Sequence, residues 1–212
     1  MGNLENVYEA VLNGGVDTIV QKVHEALDAG TPAQEILNQG MIAAMDEVGR
    51  RFGEGEYFIP QVLWSAKAMQ AGMEFLKGRL APGEQVGSGK VVIGTVQGDI
   101  HDIGKNLVAM MFEGAGFTVF DLGVDVPPER FVEKAKETDA DVIALSALLT
   151  TTMPAMKSVI DLVKASGMEK VKVIIGGAPV DDVFRKDIGA DAFGIDAPDG
   201  VKKVRTLLSP RV

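Results

Sequence analysis

The hydrophobic pattern of the chain changes period once, near residue 89. Before that point apolar positions recur every three or four residues. Over Asp17 to Ala29 they are Ile19, Val20, Val23, Ala26 and Leu27, the spacing of one helical face. Gly30 ends this segment and Thr31-Pro32-Ala33-Gln34 restarts a helix, with Thr31 as the cap, Pro32 at the first helical position and Gln34 completing a capping box. The restarted helix carries Ile36, Leu37, Met41, Met45 and Val48 until Gly53-Glu54-Gly55-Glu56 breaks it. Another helix is expected from about Ile59 to Leu80, with Pro60 in its first turn, and a short one before Asn13-Gly14-Gly15. Four such helices predict a bundle. Along the last of them Phe58, Val62, Ala66, Met69, Met73 and Leu76 form a stripe expected in the core. Trp64 projects from the other side, near Gln61 and Ala68.

Ala81-Pro82-Gly83-Glu84-Gln85-Val86-Gly87-Ser88-Gly89 has the composition of a linker. Beyond it, short β-branched runs alternate with helical patterns. Strands are expected at Lys90–Val96, Phe117–Leu122, Asp141–Ser146, Val171–Gly176 and Ala192–Ile195. Helices are expected at Gly104–Gly114, Pro128–Thr138, Pro154–Ser166, Pro179–Ile188 and Pro198–Leu208. Alternation of this kind predicts a parallel sheet wound on both faces, and unbroken apolar runs such as VVIGTV suit strands buried on both sides. The predicted architecture is α/β: an N-terminal four-helix bundle cap with its linker over residues 1–88, then a flavodoxin/Rossmann-like doubly wound five-stranded parallel sheet over residues 89–212.

Composition narrows the chemistry. A net charge of −9 without a concentrated basic patch argues against nucleic acid. The absence of cysteine excludes disulfides, thiolate zinc sites, iron–sulfur clusters and a thiol nucleophile. No apolar run is long enough to span a bilayer, and Met-Gly-Asn-Leu-Glu lacks a signal pattern. No membrane partner and a cytoplasmic location are therefore expected.

In doubly wound sheets ligands sit beyond the carboxyl ends of the strands, where the strand order reverses. Three unusual segments fall at strand ends: Gly98-Asp99-Ile100-His101-Asp102-Ile103-Gly104-Lys105-Asn106, Ser146-Ala147-Leu148-Leu149-Thr150-Thr151-Thr152 and Gly176-Gly177-Ala178. The first is no Walker A loop, since five residues separate Gly98 from Gly104-Lys105, Asn106 replaces the Ser/Thr, and Asp99 and Asp102 would repel phosphate. A phosphoacceptor receiver would want a lysine after the fifth strand, where Gly194-Ile195-Asp196-Ala197 offers none. One histidine among carboxylates is too few ligands for structural zinc. Two readings stay open on the residues alone. His101 is a solvated surface histidine capped by its neighbours, or it is the single axial ligand of a metal whose other nitrogens come from a macrocycle. Lys105 and Asn106 are expected to be solvated at the start of a helix, and His24 to be solvated on a polar helix edge. Leu122-Gly123-Val124-Asp125 is expected to turn the chain.

The motifs Asp99-Ile100-His101-Asp102-Ile103-Gly104, Ser146-Ala147-Leu148 and Gly176-Gly177 resemble, in order and spacing, those of the corrinoid methyl-carrier proteins of methyltransferase systems and of the cobalamin-binding part of methionine synthase. Phe52-Gly53-Glu54-Gly55-Glu56-Tyr57-Phe58-Ile59-Pro60 and the helix after it resemble the helical cap of the same proteins. The resemblance implies cobalamin bound with its own base displaced, His101 as the lower ligand of cobalt, and Asp99 tuning the imidazole through its other nitrogen. Thr152 would extend this relay where methionine synthase has a serine. Ser146 and Thr150 would contact the buried nucleotide tail, with Gly104, Gly176 and Gly177 giving it room. Gly98, Asp102, Ile103 and Leu148 belong to the same implied cofactor set, and Phe58 and Trp64 are candidates for the face above the cobalt.

The implied role is a methyl carrier of one-carbon metabolism. It would move a methyl group from a substrate-specific methyltransferase (methylamine, methanol, betaine or methoxyaromatic O-demethylase type) to a second methyltransferase acting on folate or a thiol, and a reductive activator would maintain the cobalt. Turnover by the chain alone is not expected. The alternatives are the cobalamin-binding subunit of a radical mutase, which would normally lack the helical cap, and a cobalamin-dependent sensor, which would carry a DNA-binding domain. The linker is expected to act as a hinge.

Overall fold

The structure is a computed structural model that describes residues 2–77, 79 and 88–209. The chain divides into two compact units, residues 1–87 with 113–116, and residues 88–112 with 117–212. The expected linker and hinge lie almost wholly outside the described residues, which resume at Ser88.

The first unit holds α1 (Gly2–Leu12), α2 (Val16–Asp28), α3 (Ala33–Glu35), a π-helical segment (Ile36–Ile42), α4 (Ala43–Gly53) and α5 (Ile59–Lys77). The segments from Ala33 to Gly53 are one continuous helical run. Its π-turns leave no mark on the apolar spacing: the buried positions Ile36, Leu37, Gly40, Met41, Ala44, Met45 and Val48 stay three and four residues apart along one face. The capping box expected at Thr31 is not formed. Pro32 occupies the cap position in extended backbone (φ −58, ψ 139) with no side-chain cap bond. Its carbonyl accepts from the Glu35 and Ile36 amides at 2.9 and 3.0 Å. The helix thus starts one residue later than expected, and Gln34 donates forward to Asn38 at 3.3 Å instead. His24 sits on α2 beside Asp28, Nδ1 to Oδ2 3.0 Å.

On α5 the stripe Val62, Ala66, Met69 and Leu76 is buried as expected, but Phe58 is 64% exposed. Phe58 precedes the helix, so helical periodicity does not govern its direction. Ala68 is fully buried and does not share the exposed side of Trp64, which is 54% exposed and has the Lys67 ammonium 4.8 Å from its ring centroid. Gly14, in the left-handed region at φ 67, lets the α1–α2 turn meet α5: a Cβ there would lie 2.5 Å from the Trp64 Cβ. Ser65, buried, donates to the Leu12 carbonyl at 3.0 Å, satisfying an acceptor at the end of α1.

The second unit is a five-stranded parallel sheet: β1 (Gly89–Thr95), β2 (Phe117–Asp121), β3 (Val142–Ser146), β4 (Lys172–Gly176) and β5 (Ala192–Gly194). The helices α6 (Ile103–Gly114), α7 (Pro128–Thr138), α8 (Pro154–Ala165), α9 (Asp182–Ile188) and α10 (Ala197–Leu208) alternate with them. The strand order is β2-β1-β3-β4-β5, so the order reverses between β1 and β3. Val142, Ile143, Ala144 and Leu145 are all buried, which accounts for an apolar run without alternation. Phe131 of α7, fully buried, packs on β1 where Gly94 has no side chain; a Cβ there would sit 2.8 Å from the Phe131 ring. In register, Thr95 pairs with Ser146 and Ser146 with Gly176. The three segments singled out in the sequence therefore leave the sheet side by side. Among the described residues, no helix is long and apolar enough to cross a membrane.

Candidate functional site

The loop after β1 turns sharply at Gly98, whose φ of 85 favours glycine. It drops Asp99 into the interior with no exposed surface. One carboxylate oxygen, Oδ1, accepts from the His101 amide at 3.1 Å and contacts His101 Nδ1 at 2.7 Å. The other, Oδ2, accepts from the Leu148 amide at 2.8 Å, the Leu149 amide at 3.2 Å and the Thr152 hydroxyl at 2.7 Å. A single carboxylate thus ties the loop after β1 to the loop after β3. Burial by itself would push the Asp99 carboxyl up. The Leu148 amide, the Thr152 hydroxyl and the His101 ring and amide outweigh it and hold the carboxyl well below its usual range. An ionised Asp99 accepts only, so in the neutral imidazole Nδ1 carries the hydrogen and Nε2 keeps its lone pair. The His101 side chain is 46% exposed, and its Nε2 has no hydrogen-bond partner among the described residues. The Thr95 hydroxyl donates to the His101 carbonyl at 2.8 Å, fixing the backbone below the ring.

Large apolar side chains stand exposed on the segment that carries the imidazole and on the loop after β3. Ile100 and Ile103 are 74% and 76% exposed, and Leu148 and Leu149 are each 43% exposed. Large side chains left uncovered together at one sheet edge mark a surface made to be covered. Gly104 has open space where a Cβ would stand, so nothing within the fold demands glycine there. Gly177 is the opposite case: at φ 133 its Cβ would come 1.8 Å from the Ala147 carbonyl oxygen. It is the only residue type that lets the loop after β4 lie against the loop after β3. An imidazole held at Nδ1 with its Nε2 free of partners among the described residues, the exposed apolar side chains beside it and the space at Gly104 fit a flat metal macrocycle that lacks one axial nitrogen.

The sequence-derived set is partly assembled here. Asp99 is brought into direct contact with both His101 and Thr152, with Gly98, Ser146, Leu148, Gly176 and Gly177 on the loops and strand ends around them and Ile103 and Gly104 in the first turn of α6. Thr150 is exposed on the loop after β3. Asp102 is exposed and accepts from the Asn106 side chain at 3.2 Å. Phe58 and Trp64 lie on the helical unit. The expectation of a solvated Lys105 is overturned: it is buried, donating to Asn106 Oδ1 at 2.6 Å and pairing with Asp121 at the end of β2. The reason is tertiary, since its partner lies on the next strand of the sheet. Asp125, whose carboxylate accepts from the Gly98 amide at 2.7 Å, is not legible in the sequence either, because nothing in its neighbourhood distinguishes it from other polar turn residues.

Comparison with known proteins agrees with this geometry. The B12 binding domain family matches residues 89–202, and a second B12 binding domain family matches residues 4–77. Dimethylamine corrinoid protein 3 of Methanosarcina acetivorans is 43% identical over 208 residues, covering 98% of this chain and 97% of that one. The crystal structure of a cobalamin-binding protein from Desulfitobacterium hafniense is 39% identical, with a TM-score of 0.78 over 96% of this chain and 98% of that one. The methanol:cobalamin methyltransferase complex MtaBC of Methanosarcina barkeri gives a TM-score of 0.86 at 30% identity, over 100% of this chain and 81% of that one. With a site suited to one axial nitrogen and matches that run through both units, the chain belongs to the B12-binding corrinoid proteins, with cobalamin as its cofactor.

Proposed function

We propose that the chain is a methyl carrier that holds cobalamin at the carboxyl edge of its sheet. It receives a methyl group from a substrate-specific methyltransferase and gives it to a second methyltransferase acting on folate or a thiol, in the cytoplasm, with a reductive activator maintaining the cofactor. Bound cobalamin supplies a cobalt centre that takes up a methyl group from one partner and yields it to another. The observation that carries the reading is the His101 ring, held at Nδ1 by a carboxylate whose other oxygen is fully engaged. His101 would hold the cobalt of the bound cofactor through Nε2. Asp99 fixes the tautomer and orientation of the ring, as carboxylates do for metal-bound histidines. Thr152 and the Leu148 amide keep Asp99 ionised and in place. Ser146, Thr150 and the glycines at 104, 176 and 177 border the space for the nucleotide tail.

Similarity to dimethylamine corrinoid proteins favours an N-methylated amine as donor, and similarity to a chain of a methyltransferase complex favours a partner on the donor side. The test is transfer of radiolabelled methyl groups. Reduced, cobalamin-loaded protein with dimethylamine and a dimethylamine methyltransferase is expected to acquire label in proportion to bound corrinoid, and His101→Ala to acquire it at least tenfold more slowly. No label from methylamine, methanol, betaine or methoxyaromatic systems alike would sink the reading.

A further inference from the structure

The segment from Gly98 to Lys105, the loop after β1 with the first residues of α6, is gripped at both ends by the carboxyl end of β2 and the turn that follows it. At its start, the Asp125 carboxylate accepts from the Gly98 amide at 2.7 Å, and the Asp125 amide donates to the Asp99 carbonyl at 2.9 Å. At its end, the buried Lys105 ammonium pairs with Asp121, whose other oxygen accepts from the Gly123 amide at 2.8 Å. The Gly123 carbonyl in turn accepts from the Thr95 amide at 2.9 Å, and the Thr95 hydroxyl holds the His101 carbonyl. The two grips enclose the residues that carry Asp99 and His101. Asp125 holds a left-handed backbone at φ 53, a conformation that aspartate and asparagine tolerate better than other residues bearing a side chain. The Leu148, Leu149 and Thr152 donors fix the Asp99 side chain from the β3 side only. Along its backbone, the Asp99 carbonyl is held from the β2 side by the Asp125 amide, while the Asp99 amide donates to the Val96 carbonyl at 3.1 Å.

We propose that Asp125 is a positioning residue for the axial histidine, with the Lys105–Asp121 pair as the second anchor of the same loop. The proposal rests on the axial role of His101. It needs a variant that removes the side-chain acceptor without straining the backbone, and Asp125→Gly does so. Asp125→Asn keeps both the acceptor and the tolerated conformation. Asp121→Asn keeps an acceptor for Gly123 and removes the charge opposite Lys105, reading the second anchor independently should Asp125→Gly not fold.

Two measurements are made on the full chain. In cofactor-free protein, amide hydrogen exchange at Gly98 is expected to quicken at least tenfold in Asp125→Gly and less than threefold in Asp125→Asn, with Val173 of β4 unchanged in both. In cobalamin-loaded protein in the Co(II) state, the fraction showing axial nitrogen splitting by electron paramagnetic resonance is expected to fall below half of wild type in Asp125→Gly, to be retained in Asp125→Asn, and to fall in Asp121→Asn. Full nitrogen splitting in both Asp125→Gly and Asp121→Asn at equal cofactor loading overturns this proposal alone. Absence of splitting in the wild type overturns the axial reading of His101, and this proposal with it.

Discussion

Asp99 has five donors around two oxygens: the His101 amide and ring on one side, and the Leu148 and Leu149 amides with the Thr152 hydroxyl on the other. An asparagine offers one oxygen and one NH2, so either way it turns its NH2 faces donors. A buried donor left without a partner costs roughly 1–3 kcal/mol. Asp99→Asn is therefore expected to lose about 3 kcal/mol of unfolding free energy in urea at neutral pH, and an unchanged midpoint would mean that these donors find other acceptors. Two glycines make opposite claims at the same scale. Gly177→Ala places a Cβ against the Ala147 carbonyl and is expected to destabilise by about 3 kcal/mol or more. Gly104→Ala meets nothing and adds a better helix former in the first turn of α6, worth roughly +0.5 kcal/mol. If Gly104 is there for the cofactor, that variant gains thermal stability in the cofactor-free state yet binds cobalamin more weakly. Unchanged binding would assign Gly104 no role.

At the scale of elements, α4 offers a pH-dependent device. Bonds from Arg50 and then Arg51 draw the Glu47 carboxyl down from 4.5 to about 2. Arg51 continues to the Tyr57 hydroxyl at 3.1 Å, which reaches the Leu12 carbonyl at 3.5 Å. Because the folded-state value is the depressed one, the stabilisation is fully present above about 4.5 and is lost as pH falls towards about 2. Glu47→Gln is expected to flatten the fall in melting temperature across that window, and an unaltered slope would show that solvent screens the network. The same scale shows what the sequence could and could not disclose. The five strands lie within a residue or so of their expected bounds, because β-branched runs end at polar residues and glycines that burial and turn geometry both require. The α3–π–α4 run reads in the sequence as one regular helix, because its buried positions, from Ile36 and Leu37 through Gly40 and Met41 to Ala44, Met45 and Val48, keep spacings of three and four. The end of α5 expected at Leu80 lies outside the described residues.

For the whole molecule, the α/β architecture and the corrinoid family were legible because both reside in local patterns: a change of hydrophobic period, and three short motifs in fixed order. The support of the site was not. Lys105 meets Asp121 and Gly98 meets Asp125 only once β1 and β2 pair, and no spacing along the chain announces those partners. The central claim, that one protein imidazole replaces the cofactor's own base, can be tested on the intact chain, since only His24 and His101 are present and His24 is bonded to Asp28 on α2. Protein grown with 15N-labelled histidine, loaded with unlabelled cobalamin and poised as Co(II), should show a doublet from its axial nitrogen in the electron paramagnetic resonance spectrum where unlabelled protein shows a triplet. A triplet in both would mean that the nitrogen belongs to the cofactor's own base and that His101 is not the axial ligand.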